Sequence, residues 1–171
     1  YDLGGWTVGV LVQTKFGGYM TIAGVPVGRA LGRYPFAEAL EARRDGDRED
    51  GSIMMVVATD APLNARSLDR LAMRAIMGLA RTGSYASNGS GDYVIAFSTH
   101  PDVRRPRTSD EPVTTPALVN ASMSPLFAAA AEATEEAIVN ALFAATTVTS
   151  ARGTLEAMPV DEVLAILEAN G

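Results

Sequence analysis

The alternation of apolar and polar positions changes period several times along this chain. Trp6 to Val12, with Val8, Val10 and Val12, reads as a buried strand. Tyr19 to Val27 reads as a second, and Gly17–Gly18 as a turn between them, so a hairpin is expected. From Gly32 to Gly51 the chain turns polar, and Arg43, Arg44, Asp45, Asp47, Arg48, Glu49 and Asp50 crowd around Gly46. Such a stretch belongs on the surface. The character changes abruptly at Ser52. Ile53, Met54, Met55, Val56, Val57 and Ala58 form a continuous apolar run, the pattern of a strand buried on both faces.

Asp60-Ala-Pro-Leu63 ends that strand, and Asn64 is placed to cap a helix over Ser67–Arg81. Leu68, Leu71, Ala72, Ala75, Ile76 and Leu79 recur there at helical spacing. Gly83 to Gly91 is a loop rich in Gly, Ser and Asn, and Asp92 to Ser98 is another apolar strand. Residues 101–116 carry four prolines and read as irregular. Ser122 or Ser124 opens a long helix to about Ala145, with Pro125 in its first turn. Val160 to Ala169 makes a final helix, with Asp161 and Glu162 near its N-terminus. Clustered strands followed by long helices predict sheets covered by helices.

Composition narrows the chemistry. The 171 residues suit one domain with a sizeable core. No cysteine is present, which excludes disulfides, thiolate metal sites and cysteine catalysis. A net charge of −6 argues against a nucleic-acid partner. No run of about 18 apolar residues suggests a membrane span. Tyr1 to Val12 has no basic segment ahead of an apolar stretch and no initiator Met, so the expectation is a fragment or a processed form, located in the cytoplasm. Neither a cofactor nor a metal ion is called for: the acidic groups Asp47/Glu49/Asp50 and Glu135/Glu136 have no histidine beside them.

Three places can carry chemistry. The first is the junction where the charged stretch ends in Gly51 and Ser52 opens a buried strand. A serine hydroxyl needs a base to take its proton. The single histidine, His100, sits in Ser98-Thr-His-Pro101 and reads as a loop residue rather than a triad member. If the chain is cut before Ser52, the freed α-amine, with a pKa of about 8, can serve as that base. Gly51 tolerates the unusual dihedrals such a cut needs. Gly-Ser at a loop-to-strand boundary is also an ordinary structural feature. The second place is Asn88-Gly-Ser-Gly-Asp92, where Ser90 and Asp92 share one side of an extended chain. A carboxylate there can orient an α-ammonium, or simply bind amides in a glycine-rich turn. The third is Asp60, whose position before a helix favours a structural role.

Together these segments resemble a known family. Trp6-Thr-Val-Gly-Val-Leu-Val-Gln13, Ile22-Ala-Gly-Val-Pro-Val-Gly28, Gly51-Ser52 ahead of Met54-Met-Val-Val-Ala-Thr-Asp-Ala-Pro-Leu63, Gly89-Ser-Gly-Asp-Tyr-Val-Ile-Ala-Phe-Ser-Thr99 and Ala133-Thr-Glu-Glu-Ala-Ile-Val-Asn140 are similar, in order, to the DmpA and β-peptidyl aminopeptidase family. The resemblance implies an α/β fold, a layered α/β/β/α sandwich of the N-terminal-nucleophile type shared with ornithine acetyltransferase. It implies a precursor that cuts itself into an α and a β part, here residues 1–51 as the tail of the α part and 52–171 as the β part. Ser52 is then the nucleophile, cleavage falls between Gly51 and Ser52, and Ser90 and Asp92 orient the nucleophile and its amine.

Where the family commonly carries an oxyanion-holding Asn, this chain has Lys15, a cation that can also donate to an oxyanion. The implied activity is a self-processing serine aminopeptidase or amidase acting on small peptides, amides or esters. The alternatives are an acyltransferase on the same fold and an uncut homologue acting as a binding subunit. The implied partners are the substrate, a missing N-terminal α portion, and further α/β units in a homo-oligomer.

Overall fold

A computed structural model describes residues 2–3, 5–15, 17–34, 51–105, 107, 112, 114–151 and 153–170. The charged stretch 35–50 ahead of Gly51 lies outside the described residues. The centre of the molecule is a four-stranded sheet in the order β1 (Asp2–Leu3), β2 (Trp6–Lys15), β3 (Ser52–Thr59), β4 (Gly91–Ser98). β2 runs antiparallel to β3 over the full length from Val8↔Thr59 to Lys15↔Ser52. β3 runs parallel to β4, from Ser52↔Gly91 to Thr59↔Ser98. A parallel pair needs a crossover, and helix α2 (Ala65–Arg81) supplies it.

Two helices cover one face. Along β3, Ile53, Met55 and Val57 point inward and are buried. They join Leu71, Ala75 and Leu79 of α2 and Leu126, Ala129, Ala130 and Ile138 of α3 (Met123–Ala144) in the main core. Asn64 caps α2 as its sequence suggests, accepting a hydrogen bond from Ser67 N–H at 3.0 Å. The two helices approach closely because Gly78 has no side chain: an added methyl group there would lie 2.3 Å from the Ala131 carbonyl oxygen.

The other sheet face is open among the described residues. Leu11, Tyr93 and Ile95 on it are 72%, 63% and 58% exposed, and Met54 and Phe97 are exposed beside them. The expectation that the Ile53–Ala58 strand is buried on both faces is therefore corrected: its burial alternates. An apolar run marks both faces as dry-loving, but burial needs a covering layer on each.

The expected hairpin of Trp6–Val12 with Tyr19–Val27 does not form. β2 extends to Lys15 and takes Ser52–Thr59 as its partner. Residues 19–27 instead contain one isolated bridge, Ile22↔Val25, around Ala23 and Gly24, both at positive φ. The backbone of this segment is held by the end of α2, through Tyr19 N–H to Gly83 O and Thr21 N–H to Thr82 O. It continues into a single turn, α1 (Val27–Ala30). Ile22 and Val27 pack with Val163 of the last helix, α4 (Val160–Asn170), in a second small core. A short hairpin of β5 (Val148–Ser150) and β6 (Gly153–Leu155) precedes α4.

Candidate active site

Three strand ends meet at Ser52. It opens β3, with Lys15 of β2 as its partner on one side and Gly91 of β4 on the other. Gly51 is buried, and Ser52 is exposed on the open face. The Ser52 hydroxyl oxygen accepts a hydrogen bond from Gly91 N–H at 3.3 Å. A donor aimed at this oxygen favours the charge that develops as its proton leaves. A Cβ at Gly91 would sit 3.3 Å from both Ser52 Oγ and Tyr93 Cε2, so these side chains would have to shift by a few tenths of an ångström.

Ser90 and Asp92 are joined to each other, as their spacing suggests. Ser90 Oγ donates to Asp92 Oδ1 at 2.6 Å, the short contact expected of a hydroxyl on a carboxylate. The register sets them one residue out of step with the nucleophile candidate. Asp92 pairs with Ile53, which faces the helices, while Ser52 pairs with Gly91 and faces outward. The Ser52 hydroxyl thus points to the open side, and the Ser90–Asp92 pair lies toward the other. The backbone nitrogen of Ser52 lies in the sheet between the two sides.

A recess of about 260 Å³ opens beside Ser52, lined by Gln13, Thr14, Lys15, Ser52 and Met54. Two neighbouring cross-strand pairs, Lys15↔Ser52 and Gln13↔Met54, supply four of its five residues. A second recess of about 170 Å³ shares Thr14 and Lys15 and reaches Gly18, Met20, Thr82 and Leu142. A groove of about 520 Å³ runs between β2 and α3. It holds Glu136 and Asn140 but no nucleophile, so its size does not make it the reactive centre.

The remaining candidates stand apart. His100 lies at the far end of the sheet, beyond the Thr59↔Ser98 pair and roughly 20 Å from Ser52 along β3. Its ring meets Trp6 edge-on at 5.6 Å, and its Nδ1 accepts from Asp102 N–H. Asp60 accepts from Thr7 N–H at 2.6 Å and ties β2 to the end of β3, a structural role. Glu135 pairs with Arg81 at 3.2 Å. Among the described residues no cluster of His, Cys, Asp and Glu suits a metal ion, and no helix is long and apolar enough to cross a membrane. What sequence reading missed is the Gly91 N–H donor. The glycine itself was the available signal, but its meaning depends on a register no pattern states.

Residues 2–156 match Peptidase family S58. The chain is 41% identical over 172 residues to the beta-peptidyl aminopeptidase BapA of Sphingosinicella microcystinivorans, covering 95% of this chain and 43% of that protein. Among solved structures, the PH0078 protein of Pyrococcus horikoshii OT3 superposes with a TM-score of 0.83 at 44% identity, over 100% of this chain and 46% of that one. The L-aminopeptidase D-Ala-esterase/amidase of Ochrobactrum anthropi, a serine aminopeptidase with a variant of the Ntn hydrolase fold, gives 0.79 at 34% identity, over 100% and 46%. This chain thus spans less than half the length of these relatives, and it has their fold over that span. With the family match running through nearly all of its length, the chain belongs to Peptidase family S58.

Proposed function

We propose that this chain carries the nucleophile of a self-processing serine aminopeptidase or amidase. The observation that carries the reading is Ser52 itself: exposed at the start of a core strand, hydrogen-bonded through Oγ to Gly91 N–H, and preceded by a buried glycine. In the uncut protein the Ser52 hydroxyl attacks the Gly51 carbonyl, the acyl group moves from nitrogen to oxygen, and water hydrolyses the ester. Cleavage frees the Ser52 α-amine. That amine then takes the hydroxyl proton when Ser52 attacks the carbonyl of a substrate's N-terminal residue. The leaving amine departs, and water releases the acyl group.

Ser90 and Asp92 orient the amine from the helix side of the sheet. Their mutual hydrogen bond fixes the carboxylate, and the register brings Asp92 beside the Ser52–Ile53 backbone. Lys15, directly across from Ser52, is the oxyanion candidate. The substrates are small peptides, amides or esters with a free amino end. The relatives include a beta-peptidyl aminopeptidase and an L-aminopeptidase D-Ala-esterase/amidase, so α- and β-linked substrates of both hands belong in the assay. Residues 1–51 are the tail of an α part, residues 52–171 are the β part, and such units associate further. The exposed apolar sheet face supports a covering layer from the rest of the protein.

The test is intact mass and amidase activity of the full-length protein and its Ser52→Ala variant. The wild type should give two fragments, with a new amino terminus at Ser52, and turn over amides. Ser52→Ala should stay whole and inactive. Fragments from Ser52→Ala, or cleavage at another bond, refute the reading. Transfer of the acyl group to an added amine in preference to water would make the protein an acyltransferase.

A further inference from the structure

The geometry points to Lys15 as a specificity residue that selects substrates bearing a carboxylate on the residue to be released. The inference rests on Ser52 being the reacting group and adds what that site prefers.

Lys15 is the direct cross-strand partner of Ser52, and both side chains leave the open face of the sheet. Directly opposite residues hold their Cβ atoms about 4.5–5.5 Å apart. The four-carbon stem of lysine therefore keeps its ammonium within a side chain's reach of any carbonyl bound at Ser52 Oγ. The recess that joins them, about 260 Å³, is smaller than the roughly 300–1,000 Å³ of pockets for larger ligands.

Among the described residues no anion lines that recess. The ion pairs among the described residues are Arg81–Glu135 and His100–Asp102, and neither involves Lys15. Asp92 points to the opposite side of the sheet and is engaged by Ser90. The other lining residues are Gln13, Thr14 and Met54, and none of these is an anion. A short side chain with a carboxylate gains a charge-assisted contact with Lys15. Its neutral amide counterpart has the same shape and gains none. Selection between such a pair is a difference of affinities set by one charge.

The discriminating ligands are amino alcohols in which CH₂OH replaces the scissile carbonyl, so nothing is turned over. One set derives from aspartate, α- and β-linked and of both hands; the other carries a primary amide in place of the free carboxylate. Binding to the full-length protein is measured by calorimetry, for the wild type and for Lys15→Met and Lys15→Arg. At least one aspartate-derived ligand should bind about fivefold more tightly than its amide counterpart, the upper range for an exposed charge pair. Lys15→Met should bring that ratio to one, and Lys15→Arg should keep it. The preference should shrink as salt is raised.

Equal binding of every pair by the wild type, including no binding of either member, overturns the inference, as does a preference that survives Lys15→Met. A lysine that only holds the oxyanion would leave the ratio at one in all three proteins. Turnover of a neutral amide by the wild type and its loss in Ser52→Ala are read separately. The catalytic reading can thus fail or stand without deciding this one.

Discussion

Replacing Gly78 by alanine sets two effects of opposite sign against each other, and the structure decides between them. In an exposed helix the change is favourable by about 1 kcal/mol, because glycine is the poorer helix former. Here the new methyl group would lie 2.3 Å from Ala131 O, 2.7 Å from Thr134 Cβ and 3.1 Å from Glu135 N. Carbon-to-oxygen contacts settle near 3.3–3.6 Å, so α2 and α3 must separate by about 1 Å. The obstructing atoms are mainly backbone, so no rotamer change relieves them.

A gap of that size forfeits about a quarter to a half of the dispersion energy between the facing surfaces. Overpacking of this kind costs about 1–3 kcal/mol, and a backbone clash belongs at the upper end. After the propensity gain, the net loss is about 2 kcal/mol. With a urea dependence of about 2 kcal/mol/M, the unfolding midpoint of the full-length protein should fall by about 1 M. Met73→Ala, on the same helix but 66% exposed, should change stability by less than about 0.5 kcal/mol. A Gly78→Ala midpoint at or above the wild type would show that the helices do not meet at this glycine.

Three further outcomes follow from the site and the caps. Gly91→Ala should leave stability within about 1 kcal/mol of the wild type, because the glycine is not at positive φ. It should lower kcat about tenfold, because the 3.3 Å contact displaces Ser52 Oγ by a few tenths of an ångström; unchanged kcat refutes the Gly91–Ser52 geometry. Asp92→Asn should move the acidic limb of the pH–rate profile to lower pH. The Ser52 amine acts as a base only when neutral, a neighbouring carboxylate favours its charged form, and removing that charge lets the amine lose its proton earlier. A limb that stays in place, or moves up, shows that Asp92 does not face the amine. Asn64→Ala removes the acceptor for Ser67 N–H and should cost about 1 kcal/mol in thermal or urea unfolding, without altering the rate per folded molecule.

Local rules made the helices legible. The apolar spacing from Leu68 to Leu79, with Asn64 ahead of it, gave α2 within two residues of its start, because both cap and stripe are properties of a single segment. The long helix and the last helix follow the same logic. Pairing was less legible. The apolar run of β2 stops at Val12 in sequence, yet the strand continues to Lys15, since Thr14 is half-buried while Gln13 and Lys15 face outward. The partner of β2 lies across the 16–51 interval rather than beyond the next turn. Two glycines at 17 and 18 look like a hairpin turn, but Gly18 packs against Gly83, where an added Cβ would be 2.6 Å from the carbonyl oxygen. That glycine serves a long-range contact, which sequence alone does not distinguish from a turn.

The candidate site has the same division, and it explains why the substrate was the least legible part. Ser52 and Asp92 lie at the starts of β3 and β4, with Ser90 just ahead of β4, so motif and spacing single them out as candidates. How they face one another follows from register: a slip of one residue between β3 and β4 would move Asp92 to the open face beside the Ser52 hydroxyl and turn Gly91 away. Ser52 shares its face with Leu11, Met54, Tyr93 and Ile95, whose exposure leaves an apolar surface continuous with the recess. On the proposed reading, the layer that covers those side chains also forms the outer wall of the recess. Covering the sheet and shaping the substrate pocket are then one packing event. Lys15 is the one charged residue among the lining that this chain supplies, so on the inference drawn above the charge of the substrate is read here and its overall size by the covering layer.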